Sequence, residues 1–121
     1  YLHKKVREAW GYGAREDLTV ADLHAEKYRG IRPAAGYPAC PDHSLKPILF
    51  DLLDAGNNSG AILTESFAML PTAAVSGFYF GHPDASYFGV ARVGPDQLAE
   101  YAGRRGVDID TATRWLRPNL D

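Results

Sequence analysis

The residues best suited to bind a ligand lie in one irregular segment, Arg29–Asp42. Within it, Arg32 is a planar cation that can hold a carboxylate or a phosphate through two parallel hydrogen bonds, although a surface salt bridge is an equally good interpretation. Residues Ala34–Gly36 have little or no side chain, so a ligand can reach backbone N–H and C=O groups there. The ring of Tyr37 either stacks on a flat ligand or covers the core.

Prolines and a glycine give this segment its irregular backbone. Pro33, Pro38 and Pro41 favour extended conformations in the residues that precede them, and Gly36 permits a sharp turn. Such a stretch forms neither a helix nor a regular strand. Because long irregular loops are uncommon in compact domains and often functional, this segment is the first candidate for a binding site.

The other reactive side chains have weaker patterns. The four histidines lack a metal-ligand spacing such as i, i+4, which predicts no metal site, although His43 follows the loop and could contact what the loop binds. Cys40 has no basic neighbour in the sequence, which favours a buried apolar role over a nucleophile. No serine-hydrolase, phosphate-loop or dinucleotide-binding motif is present in the sequence.

Composition bounds the class of protein. The 121 residues predict one domain or a piece of one, and 45% apolar with 23% charged residues is typical of a globular domain. A net charge of −2 gives no basic surface for nucleic acid or an anionic membrane. The sequence has no long apolar run and no signal-peptide pattern, so the expected location is cytoplasmic.

Helical periodicity begins at the first residues. Leu2, Val6, Ala9 and Trp10 recur on one helix face, which predicts a helix whose apolar face is buried. A helix that is amphipathic from residue 1 suggests a polypeptide cut from something longer.

A second helix is predicted from the capping residue Thr19, with Asp22 three residues later, to about Tyr28. Glu26 then lies near the end of this helix, where it is solvated unless a ligand engages it.

Residues 62–93 predict β-structure, in the segments Ile62–Glu65, Val75–Phe80 and Tyr87–Val93. A short turn-rich link joins the last two segments, which favours an antiparallel hairpin. Tyr87 and Phe88 open the last strand, so their rings should point to opposite faces, one into the core and one toward a groove.

Further helices surround these strands in the sequence. One with an apolar face is predicted from Leu45, and two close the chain after Gly94 and Asp108. The inward positions of these helices are predicted to be Leu45, Ile48, Leu49, Leu52 and Leu53 in the first, Leu98, Tyr101 and Ala102 in the second, and Ile109, Ala112, Trp115 and Leu116 in the third. The fold class is therefore α+β, an antiparallel sheet with a central hairpin flanked by helices.

Four ordered blocks of sequence resemble the activation domain of cobalamin-dependent methionine synthase. They are Gly30–His43, Leu63–Met69, Val75–Phe80 with His82–Asp84, and Arg114–Leu120. The resemblance covers essentially the whole chain. It implies a single, partial activation domain over residues 1–121, whose upstream part is missing.

The resemblance also implies a function and a location within a larger enzyme. Domains of this family bind S-adenosylmethionine and support the reductive methylation of cob(II)alamin, which regenerates active methylcobalamin. The parent enzyme is a homocysteine methyltransferase of methionine biosynthesis. The implied partners are its cobalamin-binding domain and a flavodoxin-type electron donor.

The implied roles of single residues concern ligand positioning. Arg32 would hold the methionyl carboxylate, the backbone at Ala34 would read the adenine edge, and Gly36 with Tyr37 would line the site. The pair Tyr87 and Phe88 matches the tyrosine-containing contact strand, and Glu26 matches an acidic position near the ligand. Because the methyl group goes to cobalt, no catalytic residue is expected in this chain.

Departures from the family pattern leave a second hypothesis open. An acidic ligand contact of the family lies upstream of this chain, and Phe88 removes a hydroxyl from the aromatic pair. Asp22–Lys27 begins like the D-x-H-x-x-G cobalamin loop but ends in lysine, so cobalamin is expected in a separate domain, and homocysteine and folate sites are expected to be absent. The alternative function is a non-catalytic docking module for a corrinoid protein or its flavodoxin-type reductant, without nucleoside binding.

Overall fold

The computed structural model of the chain describes residues 1–120, which form two compact units. The first unit contains Tyr1–Pro33 and Gly77–Tyr87, and the second contains Ala34–Ser76 and the chain from Phe88 onward. The helices are α1 Leu2–Ala9, α2 Val20–His24, α3 Lys46–Leu52, α4 Ala55–Ser59, α5 Pro95–Arg105 and α6 Ile109–Leu116, with 3₁₀ turns at His43–Leu45 and Arg117–Asn119. The strands are β1 Ile62–Leu63 and β2 Met69–Leu70. The α+β class is confirmed.

The predicted hairpin is wrong in its position. The antiparallel pair joins β1 to β2, with Ile62 opposite Leu70 and Leu63 opposite Met69. Within the described chain, residues 75–80 and 87–93 form no ladder with each other, because loops supply their backbone partners. Phe80 pairs with Ile31 in the first unit, and in the second unit Val90 N–H donates to the Pro38 carbonyl at 2.7 Å.

The first unit buries an unexpected face of α1. The predicted apolar face is wrong, since Leu2 and Trp10 are 61% and 68% exposed, whereas His3 and Arg7 are buried. Arg7 is neutralised inside the unit, where its Nε donates to Glu16 Oε2 at 2.9 Å. His3 packs edge-on against the Tyr28 ring and stacks nearly parallel to the Tyr79 ring.

Burial of His3 predicts a pH dependence of stability. Burial, then the charges of Arg7 and Arg32, lower its pKa to about 4, from the 6.5 of an unfolded chain. Because the folded state resists protonation, this contribution to stability is complete above pH 6.5 and falls as the pH drops toward 4. We expect His3→Phe to remove that part of the dependence.

Urea unfolding of the two chains at about pH 7, 5.5 and 4.5 measures this difference. An equal loss of free energy of unfolding in both chains on acidification would contradict the assignment to His3. His24→Phe is the matched control, because this imidazole is exposed.

Helix α2 is shorter than predicted. The capping box between Thr19 and Asp22 is present, with the Thr19 hydroxyl accepting the Asp22 N–H. The helix ends at His24 rather than near Tyr28 because Glu26 has a φ of +55°, outside the helical region.

The second unit has its hydrophobic core between α5 and α6. Leu98, Ala102, Ala112 and Leu116 are buried there, as predicted, and Val93, Tyr101, Val107 and Leu120 pack against them. Asp108 caps α6 by accepting the Thr111 N–H at 2.7 Å. The predicted inward positions Ile48, Leu52, Leu53 and Ile109 are exposed instead.

No helix in residues 1–120 is long and apolar enough to cross a membrane.

Candidate ligand-binding site

Arg32 presents an exposed cation on a fixed backbone. Its N–H donates to the Tyr87 hydroxyl at 3.0 Å, and its guanidinium carbon lies 5.7 Å from the centre of the Tyr28 ring. Within residues 1–120 this guanidinium forms no ion pair, so the salt-bridge interpretation does not hold for the described chain. A fixed, exposed arginine of this kind suits bidentate capture of a carboxylate or phosphate.

Tyr28 is a residue of this site that sequence reasoning missed. Its hydroxyl lies 3.1 Å from the Tyr87 hydroxyl, and the side chain is buried. Burial, then the hydrogen bond with Tyr87, raises the pKa of Tyr28 to about 12, so the phenol is neutral. Its partner is 59 residues away in the sequence, so no local pattern could have identified the pair.

Backbone pairing fixes the residues that lead to Arg32. Ile31 and Phe80 exchange two hydrogen bonds of 3.0 and 2.9 Å, and the Phe78 N–H donates to the Pro33 carbonyl at 2.9 Å. Gly30 has a φ of +88°, and a Cβ at this position would lie 2.3 Å from the Phe80 carbonyl oxygen. Only glycine fits this close approach of two backbone segments.

The small-residue segment in the second unit is a compact turn. The Tyr37 N–H donates to the Ala34 carbonyl at 3.2 Å, the Gly36 N–H to the Cys40 carbonyl at 2.8 Å, and the Cys40 N–H to the Tyr37 carbonyl at 2.8 Å. Within the described part of the chain, the Ala34 N–H makes no hydrogen bond, which leaves it available to a ligand.

Gly36 is required at the centre of this turn. Its φ is +95°, and a Cβ would lie 1.9 Å from Cε1 of His43, whose ring covers the glycine. Both residues line a cleft of about 290 Å³ in the second unit, together with Tyr37, Pro38, Pro41, Val90, Trp115, Pro118 and Asn119. Tyr37 is 66% exposed at this cleft, so its ring is not a core cover.

A buried lysine orients the His43 ring. The Lys46 ammonium lies 2.9 Å from His43 Nδ1 and donates to the Phe67 carbonyl at 2.9 Å. Because an ammonium has no acceptor, Nδ1 accepts and the imidazole proton lies on Nε2. Burial, then the Lys46 charge, lowers the pKa of His43, so the ring beside Gly36 is neutral at pH 7.

Asp42 anchors the end of the loop to α5. Its buried carboxylate accepts hydrogen bonds from the N–H and hydroxyl of Ser44, at 2.6 and 2.8 Å. It also accepts from the Tyr101 hydroxyl and, at 2.8 Å, from the Arg105 guanidinium. The loop conformation is therefore set by a charge-assisted network.

Cys40 has the environment of a structural residue. It lines a cavity of about 280 Å³ in the second unit, together with Leu45, Val93 and Leu116 among others. Burial, then the charge of Asp42, raises the pKa of the thiol, which opposes thiolate formation.

The remaining predicted residues are less constrained. Glu26 is exposed two residues beyond α2. Tyr87 and Phe88 are 40% and 59% exposed in a segment without ladder pairing, so the prediction that one ring enters the core is wrong. The structure brings Arg32 together with Tyr87 in the first unit, and Ala34, Gly36 and Tyr37 into one turn in the second.

Comparison with known proteins identifies the family of the chain. The family described as vitamin B12 dependent methionine synthase, activation domain, matches residues 1–106. A crystal structure of the MetH reactivation domain bound to AdoHcy matches with a TM-score of 0.95 and 50% sequence identity. That match covers 99% of this chain and 37% of the other, so the chain spans about a third of the matched protein. The chain therefore belongs to the activation-domain family of vitamin B12-dependent methionine synthase.

Proposed function

We propose that this chain binds S-adenosylmethionine and so supports the reductive methylation of cob(II)alamin to methylcobalamin. The observation that carries the proposal is the Arg32 guanidinium, exposed, without an ion pair among residues 1–120, on a backbone held by Tyr87. The matched reactivation domain is bound to AdoHcy, which shares the adenosine and amino-acid ends of S-adenosylmethionine.

The amino-acid end of the ligand carries both charges of a zwitterion. Arg32 binds its carboxylate through the two-pronged geometry of the guanidinium. Glu26 is the proposed partner of the ammonium group, because it is an exposed carboxylate in the same unit as Arg32 and lies shortly before it in the sequence.

The nucleoside end needs hydrogen bonds and flat apolar neighbours. In the second unit, the free N–H and the carbonyl of Ala34 are the proposed partners of the adenine edge, and Gly36 keeps that backbone accessible. Tyr37, Tyr87 and Phe88 are proposed as contacts through their exposed rings. Phe88 has no hydroxyl, so it contributes packing alone.

The chemistry proposed for this chain is positioning. S-adenosylmethionine would supply the methyl group of its positively charged sulfur and leave as S-adenosylhomocysteine, and a cobalamin held by a separate domain would supply the cobalt that receives the group. A flavodoxin-type donor would supply the one electron that cob(II)alamin needs. Because no proton is removed from the ligand, Arg32, Ala34 and Tyr37 need only orient it.

The family membership supports a proposal about the parent protein. We propose that these residues form part of a single activation domain in a cytoplasmic homocysteine methyltransferase, whose cobalamin, homocysteine and folate sites lie elsewhere. The cobalamin-binding domain is the proposed partner within that enzyme.

Calorimetric titration of S-adenosylmethionine into the 121-residue chain tests the proposal. We expect saturable binding that Arg32→Ala weakens by about 1.5–3 kcal/mol, the range for a lost hydrogen bond to a charged group. Arg29→Ala is the matched control, because it removes an exposed arginine three positions away and should leave the affinity nearly unchanged.

Each outcome has a defined meaning. Unchanged affinity in a folded Arg32→Ala chain would remove Arg32 from the site. If the unaltered, folded chain binds no S-adenosylmethionine, nucleoside binding by these residues is wrong and the docking-module hypothesis replaces it.

A further inference from the structure

We propose that Tyr28 is a positioning residue, which orients the Arg32 guanidinium and the Tyr87 hydroxyl without itself touching the ligand. This inference rests on the proposed function, because it concerns the group that would bind the ligand carboxylate. It assigns a role to a residue that no sequence pattern singled out.

The Tyr28 ring is held rigidly inside the first unit. The side chain is 7% exposed, and its ring meets that of His3 edge-on, with 4.7 Å between ring centres. The Arg7 guanidinium carbon lies 4.8 Å from the centre of the same ring. His3 and Arg7 of α1 thus hold the Tyr28 ring in place, and the ring can make a cation–π contact with a further cation.

Arg32 is that further cation. Its guanidinium carbon lies 5.7 Å from the centre of the Tyr28 ring, within the range of a cation–π attraction. Arg7 is already paired with Glu16, whereas Arg32 has no ion pair in the described chain. The ring therefore restricts the side chain of Arg32 while leaving its charge available.

The hydroxyl of Tyr28 supports the backbone of Arg32 through Tyr87. It lies 3.1 Å from the Tyr87 hydroxyl, which accepts the Arg32 N–H at 3.0 Å. One buried side chain thus supports both the backbone and the guanidinium of the proposed anchor. Removing the hydroxyl and removing the ring are separable changes.

Two ligands distinguish positioning from a general structural role. S-adenosylhomocysteine carries the amino-acid end, whereas methylthioadenosine keeps the adenosine and sulfur but has no carboxylate. The preference is the ratio of the affinity for S-adenosylhomocysteine to the affinity for methylthioadenosine. We expect Tyr28→Leu to reduce this preference about tenfold, because the cation–π contact that orients the Arg32 guanidinium is lost. Tyr28→Phe keeps the ring and should reduce the preference about threefold.

Tyr12→Phe is the matched control. It removes a buried tyrosine hydroxyl of the same unit that has no hydrogen-bond partner among residues 1–120. We expect it to leave the preference unchanged. The inference is overturned if the folded Tyr28 variants bind both ligands more weakly by the same factor, so that the preference is preserved. That result would leave the proposed function intact.

A measurement without ligand completes the test. In the NMR spectrum of the free chain, the side-chain protons of Arg32 should be shifted by the ring current of Tyr28, and Tyr28→Leu should remove that shift. An unaffected Arg32 signal overturns the inference. Failure of the unaltered chain to bind S-adenosylhomocysteine would instead overturn the proposed function, and with it the ligand role of Tyr28.

Discussion

Asp42→Ala is expected to destabilise the chain by about 3–5 kcal/mol, the cost of leaving a buried partner charge uncompensated. Asp42 is 3% exposed, and its carboxylate accepts hydrogen bonds from Ser44, Tyr101 and Arg105. Its loss leaves the Arg105 guanidinium, whose side chain is 17% exposed, without its carboxylate. The free energy of unfolding, measured in urea, gives the size of the effect.

A surface ion pair on the same helix provides the control. On α5, Glu100 Oε1 lies 2.6 Å from Arg104 Nη2, and the two side chains are 64% and 76% exposed. Glu100→Ala should change the stability by no more than about 0.5 kcal/mol, because water screens the pair. If Asp42→Ala costs no more than this control, the buried network does not hold the loop.

Gly36→Ala is the second substitution with a large expected effect. A φ of +95° is unfavourable for any residue with a Cβ, at about 1–2 kcal/mol. The new methyl group would also overlap the His43 ring, which adds about 1–3 kcal/mol for overpacking. We expect lower stability and weaker S-adenosylmethionine binding, measured by urea unfolding and calorimetry.

Two further variants separate the causes. Gly36→Ala combined with His43→Ala should recover the loss of stability caused by overlap with the His43 ring but not the loss caused by the positive φ. Gly103→Ala, inside α5 with open space around it, should stabilise the chain by about 0.5–1 kcal/mol. Full stability of Gly36→Ala alone would show that the turn has another accessible conformation.

Several predictions that depended on nearby residues agree with the structure, whereas the end of α2 and the inward positions Ile48, Leu52 and Leu53 do not. The caps at Thr19 and Asp108 and the irregular loop were predictable because their hydrogen bonds and dihedral restrictions involve close neighbours. The core positions of α5 and α6 followed from helical periodicity and packing between consecutive helices.

Two of the wrong predictions, the buried face of α1 and the position of the hairpin, involved partners outside the local segment. The apolar stripe of α1 indicated the wrong buried face, because Arg7 finds its partner Glu16 nine residues later. The hairpin was misplaced because residues 78 and 80 pair with the loop at Ile31 and Pro33. Alternation of apolar and polar residues predicts an extended segment but does not identify the segment it pairs with. The ligand contacts assigned to Glu26, Arg32, Ala34, Gly36, Tyr37, Tyr87 and Phe88 stay predictions.

The unpaired guanidinium of Arg32 has a consequence for selectivity. A cation without a carboxylate of its own among residues 1–120 has no internal bond to break when a ligand arrives, so it is ready for binding at all times. For the same reason it attracts any small anion, including inorganic phosphate and sulfate. Under the proposed function, discrimination between such ions and a nucleoside would therefore depend on the other proposed contacts, among them the neutral backbone at Ala34, while the charge would provide only the attraction.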